Sequence, residues 1–148
     1  MKEISEAEGS RPIAVIFNLG VNDMANASNY VSYMTNIAPT LKKKNCKLFY
    51  MSVNPINSTM ITKAGRGART EAQVREFNSK IHSGLSVYYK FIDTYSVLMK
   101  KGYGTNASYV GVDRDSDDGL HYTTKTYKRI YYYCVTYLNT GSINATYY

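Results

Sequence analysis

The chain contains 148 residues, of which 44% are apolar and 20% are charged. This length fits one domain with a real hydrophobic core, and this composition excludes a disordered tail and a membrane protein. The net charge of +7 comes from scattered Lys and Arg residues, which argues against a nucleic-acid-binding surface, and a count of two cysteines excludes a disulfide framework and a four-cysteine zinc site.

Residues 1–11 are polar and contain no basic segment followed by an apolar one, so the sequence predicts a lead-in without a visible signal peptide. The sequence assigns no cellular compartment. The longest apolar run, residues 12–19, is far below the ~20 residues that cross a bilayer, so we predict no membrane span. Residues 12–148 are predicted to form the folded domain.

The apolar patterns alternate between strand and helix along the chain. They predict, in order, a strand at 13–19, a helix at 26–44 that contains Pro39, a strand at 46–53, a polar loop around Gly65 and Gly67, a helix from Thr70, a strand at 88–93, a short amphipathic segment at 97–99, a long loop at 102–120 and a helix from Thr124. Such alternation is typical of right-handed βαβ units. We therefore predict an α/β fold, a three-layer α/β/α sandwich with a parallel sheet.

Apolar residues at helical spacing give each long helix a predicted buried stripe. The stripes are Tyr30, Met34, Ile37, Ala38 and Leu41 in the first helix, Val74, Phe77, Ile81 and Leu85 in the second, and Tyr127, Ile130, Tyr131, Cys134 and Leu138 in the last. Asn45 is a predicted stop for the first helix, and Thr123 is a predicted N-cap for the last. Cys46 and Cys134 lie in apolar patterns and are interpreted as buried free thiols, whereas His82 is interpreted as a surface residue.

The first strand runs into the segment Gly20-Val21-Asn22-Asp23. In open parallel sheets, ligands bind beyond the carboxyl ends of the strands, so this segment lies where a site is expected. Gly20 allows close backbone approach, and the Asn22 amide can donate a hydrogen bond to a developing oxyanion. The alternative is an Asn-Asp pair that only makes a turn or caps the next helix.

A second candidate segment, Asp118-Gly119-Leu120-His121, lies directly before the last helix. A carboxylate three residues before a histidine can accept the proton of one imidazole nitrogen and leave the other nitrogen as a base. Gly119 supplies the backbone freedom that such a turn needs. The alternative is a loop histidine without a chemical role.

On a βαβ background, GVND after one strand and DGLHY before the last helix resemble the SGNH (GDSL-like) hydrolases, esterases and lipases whose sequence blocks carry Ser, Gly, Asn and His. The resemblance spans residues 13–138 and includes VIFNLGVND, MSVNP and DGLHYTTKTYKRI. It implies a flavodoxin-like SGNH hydrolase fold and hydrolysis of a small acyl ester or an acylated glycan by a Ser-His-Asp mechanism, with no cofactor and no metal. By this resemblance, His121 would be the general base, Asp118 its orienting carboxylate, Asn22 an oxyanion-hole donor and Gly20 the residue that shapes the oxyanion loop.

The sequence departs from the family at the nucleophile. In the family, a GDS-type block with the serine and a second block with an oxyanion glycine precede the Asn block, and neither is present in the 21 residues before Asn22. Ser10 precedes the strand and so lies at the wrong end of the sheet, and no pattern assigns an attacking role to Ser52. We interpret the chain as an SGNH-like domain that is incomplete at its N-terminus and lacks the nucleophile.

This interpretation has two functional consequences. The strand at 13–19 would have an unpaired apolar edge where the nucleophile strand belongs, and such an edge invites self-association. The chain is then either part of an ester hydrolase or a non-catalytic module that binds a ligand, a glycan or a partner chain with the same cleft.

Two further patterns indicate no site. Residues 113–117 have the D-x-D-x-D spacing of a calcium loop, but Asp118 and Thr124 stand where that loop needs Gly and a bidentate Glu. Residues 65–67 (GRG) lack the length and the lysine of a phosphate-binding loop. We interpret them as an ordinary loop.

Overall fold

A computed structural model describes residues 11–103 and 119–145 of the chain. Within these ranges the elements are β1 (Ile13–Phe17), α1 (Ala27–Lys43), β2 (Cys46–Met51), α2 (Ser58–Lys63), α3 (Glu71–Leu85), β3 (Lys90–Ile92), α4 (Thr94–Lys100) and α5 (Thr124–Thr140), with a 3-10 turn (Met24–Asn26) before α1. None of these helices is both long enough and apolar enough to cross a bilayer.

The three strands form one parallel sheet in the order β1-β2-β3. In the register of the sheet, Phe17 lies beside Tyr50, and Tyr50 lies beside Phe91. Each pair of consecutive strands is joined by helices, which is the βαβ connection predicted from the alternating pattern. The predicted α/β class with a parallel sheet is confirmed.

The two faces of the sheet pack against different helices. Along β2, Leu48 and Tyr50 belong to a cluster with residues of α1 and α3, whereas Phe49 and Met51 belong to a cluster with residues of α4 and α5. Successive side chains of a strand point to opposite faces, so helices cover both faces of the sheet.

The long helices begin within one residue of their predicted starts, and α1 ends within one residue of its predicted end. Thr70 caps α3 in a capping box with Gln73, in which each side chain bonds the backbone of the other residue. Helix α1 ends at Lys43. Asn45, two residues later, has a φ of 58°, the left-handed conformation typical of a helix stop. Helix α5 is capped by Thr123, as predicted.

Helix α2 was not predicted, since residues 54–69 were interpreted as a polar loop. It has only six residues and buries one of them, Ile61, so it shows no helical period. Its start depends on the Asn57 side chain, which accepts a hydrogen bond from the Met60 backbone N at 3.0 Å.

The predicted buried stripe of α5 was partly wrong. Ile130 and Cys134 are buried as predicted, but Tyr127, Tyr131 and Leu138 are exposed. The remaining buried residues of this helix are Thr126, Arg129 and Tyr133. Tyrosines occur on several sides of α5, so more than one face of the helix has apolar residues at helical spacing. The pattern alone therefore does not distinguish the buried Tyr133 from the exposed Tyr127 and Tyr131.

Both cysteines are buried and free, as predicted. Burial raises the pKa of the Cys134 thiol to about 11, so this group is a packing residue at neutral pH. The exposed ring of His82 stacks on Phe91 with 4.6 Å between the ring centroids, which fits its interpretation as a surface residue.

Candidate active site

A cleft of about 340 Å³ lies where β1 and β2 end. It is lined by residues from 18–22 after β1, from 53–56 after β2 and from 120–122 before α5, together with Arg66, Arg69 and Tyr127. Asn22 and His121 are both among the lining residues. The structure therefore brings Asn22 and His121 to one cleft, at the sheet edge where ligands of parallel sheets bind.

The GVND segment is a tight turn that presents Asn22. The Asp23 backbone N donates to the Gly20 carbonyl at 3.0 Å, and Gly20 is buried with a φ of 117°. Asp23 makes no side-chain capping bond and instead accepts a hydrogen bond from the Tyr30 hydroxyl at 3.1 Å. The segment thus forms the turn of the alternative interpretation, and the same turn directs the exposed Asn22 to the cleft.

The amide of Asn22 is oriented by an arginine. The Arg69 Nη2 donates to the Asn22 Oδ1 at 3.3 Å, and the Arg69 Nη1 donates to the Arg66 carbonyl at 2.8 Å. A guanidinium can only donate, so the side-chain oxygen of Asn22 is the acceptor in this pair. The Nδ2 group of Asn22 forms no hydrogen bond to any residue that the structure describes, which leaves it as a donor for a ligand.

Two contacts anchor the loop that carries His121. The Gly119 carbonyl accepts from the Asn57 backbone N at 2.9 Å, and the buried Tyr122 donates its hydroxyl to the Pro55 carbonyl. Gly119 has a φ of 73°, and a Cβ there would lie 2.6 Å from the Asn57 carbonyl oxygen. His121 lies between these anchors and is exposed at the cleft. Its predicted orienting carboxylate, Asp118, lies outside the described residues.

The floor of the cleft is fixed by a buried amide. Asn78 on α3 accepts from the Val53 backbone N at 2.8 Å and donates to the Val53 carbonyl at 2.9 Å. These two bonds satisfy both backbone groups of Val53 where the chain leaves β2, beyond the last strand residue. The adjacent Asn54 lines the cleft, and its Oδ1 accepts a hydrogen bond from the Thr94 hydroxyl at 2.7 Å.

Ser52 is a structural residue. Its Oγ is fully buried, accepts from the Tyr95 backbone N at 2.8 Å and lies 3.1 Å from the Thr94 hydroxyl. Because the Thr94 hydroxyl donates to Asn54, the Ser52 hydroxyl donates to Thr94. The lining residues that the structure describes include no serine, threonine or cysteine, and Ser10 lies outside the described ranges.

The sequence did not indicate the two cations of the cleft. Arg66 and Arg69 come from the loop between α2 and α3, which was interpreted as having no role, and both line the cleft beside Asn22. The Arg69 contact joins residues 47 positions apart. Such a contact depends on how α3 packs against the sheet, and no local pattern reports it.

No model of a known protein family and no curated protein matches this chain. The family resemblance therefore stays a hypothesis based on two short motifs. What bears on function is the geometry of the cleft, in which an amide donor, an imidazole and two guanidinium groups meet.

Proposed function

We propose that this chain belongs to an ester hydrolase of the SGNH type, with the flavodoxin-like fold of that family, and carries its base and an oxyanion donor but not its nucleophile. The observation that supports the proposal most is that Asn22 and His121 line the same cleft, although they are 99 positions apart in the sequence. The parallel order β1-β2-β3 is also compatible with that fold.

In the proposed reaction, His121 removes the proton of a serine hydroxyl while the serine oxygen attacks the ester carbonyl. The carbonyl oxygen becomes an oxyanion and accepts a hydrogen bond from the Asn22 Nδ2. The protonated imidazole then gives its proton to the leaving alcohol, and water releases the acyl group by the same steps. Asp118 would hold the imidazole in the required orientation.

The contact between Arg69 and Asn22 supports the role of the amide as a donor. With Oδ1 held by the guanidinium, the Nδ2 group has one orientation to offer the cleft. Preorganised donors lower a barrier because they need not reorganise during the reaction, and loss of one typically costs about 10²- to 10³-fold in kcat.

A second candidate is a non-catalytic module that binds a ligand in this cleft. The observation that favours it is the absence of any serine, threonine or cysteine among the described lining residues. A triad without its nucleophile loses a factor of about 10⁶ in kcat, so a chain with the base alone would act mainly as a binder.

Hydrolysis of p-nitrophenyl acetate separates these candidates. The two histidines of the chain form a matched pair, because His121 lines the cleft and His82 is exposed on α3 and stacks on Phe91. If this chain alone is an esterase, His121→Ala lowers the rate about 10²-fold or to the buffer rate, whereas His82→Ala leaves it unchanged. Equal rates in all three proteins would show that this chain has no esterase activity of its own and would favour the binding module.

A further inference from the structure

A second cleft of about 290 Å³ adjoins the first. The two clefts share a wall made by Val21, Asn22, Arg66 and Arg69. Arg66 and Arg69 therefore border both spaces, next to the residue whose amide the proposed function assigns to the oxyanion. A ligand that fills one cleft and extends into the other passes this wall.

Arg69 is held by neutral groups. It is half-buried, and its donors go to the Arg66 carbonyl and to the Asn22 Oδ1. No carboxylate in residues 11–103 or 119–145 forms an ion pair with it. A partly desolvated cation beside neutral acceptors keeps most of its charge uncompensated, so an anion placed there would gain more than one placed at an exposed lysine.

Arg69 gives the shared wall a positive charge. Among the described lining residues, the first cleft has no carboxylate and the second has one, that of Asp23, which accepts a hydrogen bond from Tyr30. Clefts with low-dielectric walls and one sign of charge concentrate counter-ions. Arginine also presents its donors in a planar fork that matches the two oxygens of a carboxylate or a phosphate.

We propose that this wall is an anion subsite and that the natural ligand carries a carboxylate or phosphate group next to its ester. The ester part of this inference rests on the proposed function, whereas the anion part concerns binding alone. The subsite assigns specificity to the loop at residues 64–70, with Arg69 as the main contact and Arg66 beside it at the boundary of the two clefts.

Binding of small esters to the full chain tests this proposal. We would titrate the protein at constant ionic strength with monomethyl succinate, with monomethyl phosphate and with the neutral dimethyl succinate. Binding would be followed by the NMR signal of the Asn22 side-chain amide and by the shift of the thermal unfolding transition. We expect one or both anions to bind at least about tenfold more tightly than the neutral diester. Whichever of the two binds more tightly identifies the carboxylate or the phosphate as the preferred group.

Charge-removing variants locate the binding. Arg69→Gln is expected to weaken anion binding about tenfold, and Arg66→Gln serves as a second variant because it keeps the backbone carbonyl that Arg69 uses. Lys63→Gln is the matched control, since Lys63 is an exposed cation at the end of α2 that lines neither cleft. Equal binding of anions and diester, or equal losses in Lys63→Gln, would overturn the subsite.

The outcome is distinguishable from that of the hydrolase test. His121→Ala removes the proposed base but leaves both arginines, so anion binding should persist in it. Arginine-dependent binding without histidine-dependent hydrolysis would keep the subsite and reject esterase activity of this chain. Histidine-dependent hydrolysis with no preference for the charged ester would keep the hydrolase and reject the subsite.

Discussion

The ring of Phe77 on α3 occupies the space that a side chain at position 20 would need, with a ring carbon 2.2 Å from where a Cβ of Gly20 would lie. Position 20 also has a φ of 117°, which side-chain-bearing residues rarely adopt. Two independent physical reasons thus require glycine at the start of the turn that presents Asn22.

We expect Gly20→Ala to lower the free energy of unfolding by roughly 2–5 kcal/mol, because backbone strain and overpacking add. Denaturant unfolding of the two proteins measures the difference. Gly65→Ala separates the causes, since Gly65 has a φ of 67° but no atom within 4 Å of the added Cβ. If both variants lose the same stability, the contact with Phe77 contributes nothing.

The paired bonds of Asn78 to Val53 predict an unusual response to an isosteric change. Asn78→Asp keeps the acceptor for the Val53 backbone N but places an oxygen against the Val53 carbonyl, which repels it. We expect a loss of about 2–4 kcal/mol in urea unfolding, similar to that of Asn78→Ala. Asn29→Ala, at an exposed position of α1, is the control and should change stability by less than about 0.5 kcal/mol.

Buried tyrosines predict a loss of stability at alkaline pH. The Tyr89 hydroxyl donates to the Met34 carbonyl at 2.8 Å, and burial raises its pKa to about 12. The unfolded state releases this proton near pH 10, whereas the folded state keeps it. The contribution of Tyr89 to the free energy of unfolding is therefore complete below pH 10 and disappears as the pH rises to about 12.

Denaturant unfolding between pH 8 and pH 12 checks this expectation. Tyr89→Phe should be about 1 kcal/mol less stable than the wild type at pH 8, because a hydrogen bond is lost, and should lose stability less steeply above pH 10. Tyr131→Phe, in which the replaced side chain is 72% exposed, should follow the wild-type curve throughout. Parallel curves for wild type and Tyr89→Phe would contradict the assignment to Tyr89.

The outer edge of β1 predicts association between copies of the chain. Strand β1 pairs with β2 on one side, and its other edge meets no strand of the described residues. The strand IAVIF contains no charged residue, and Ala14 is exposed within it. Apolar, unprotected edges pair with other strands, and a lysine on such an edge opposes this.

Light scattering after size exclusion should therefore show a mass that rises with concentration. Ala14→Lys is expected to shift the chain towards the monomer, whereas Ala72→Lys, an exposed position on α3, should leave the mass unchanged. A wild-type monomer at every concentration would show that this edge does not pair.

The success of prediction from sequence depended on how locally each feature is determined. Helix α3 was predictable because Thr70 caps it and Val74 and Phe77 begin a regular buried stripe. The location of Asn22 and His121 at one cleft followed from strand ends and a helix start, which are local signals as well. In contrast, the contact of Arg69 with Asn22 joins two loops that are 47 positions apart, and only the packed structure contains it.

The hydrogen bond from Tyr122 to Pro55 spans 67 residues, and the chain between them includes α2, α3, β3 and α4. Closing a loop of this length costs entropy that no neighbouring contact in the sequence recovers. The cleft therefore forms only after the segments around Pro55 and Tyr122 have come together in the folded domain. A ligand that binds in it is linked to folding of the whole domain, and its affinity can be read from the shift that it causes in the global unfolding transition.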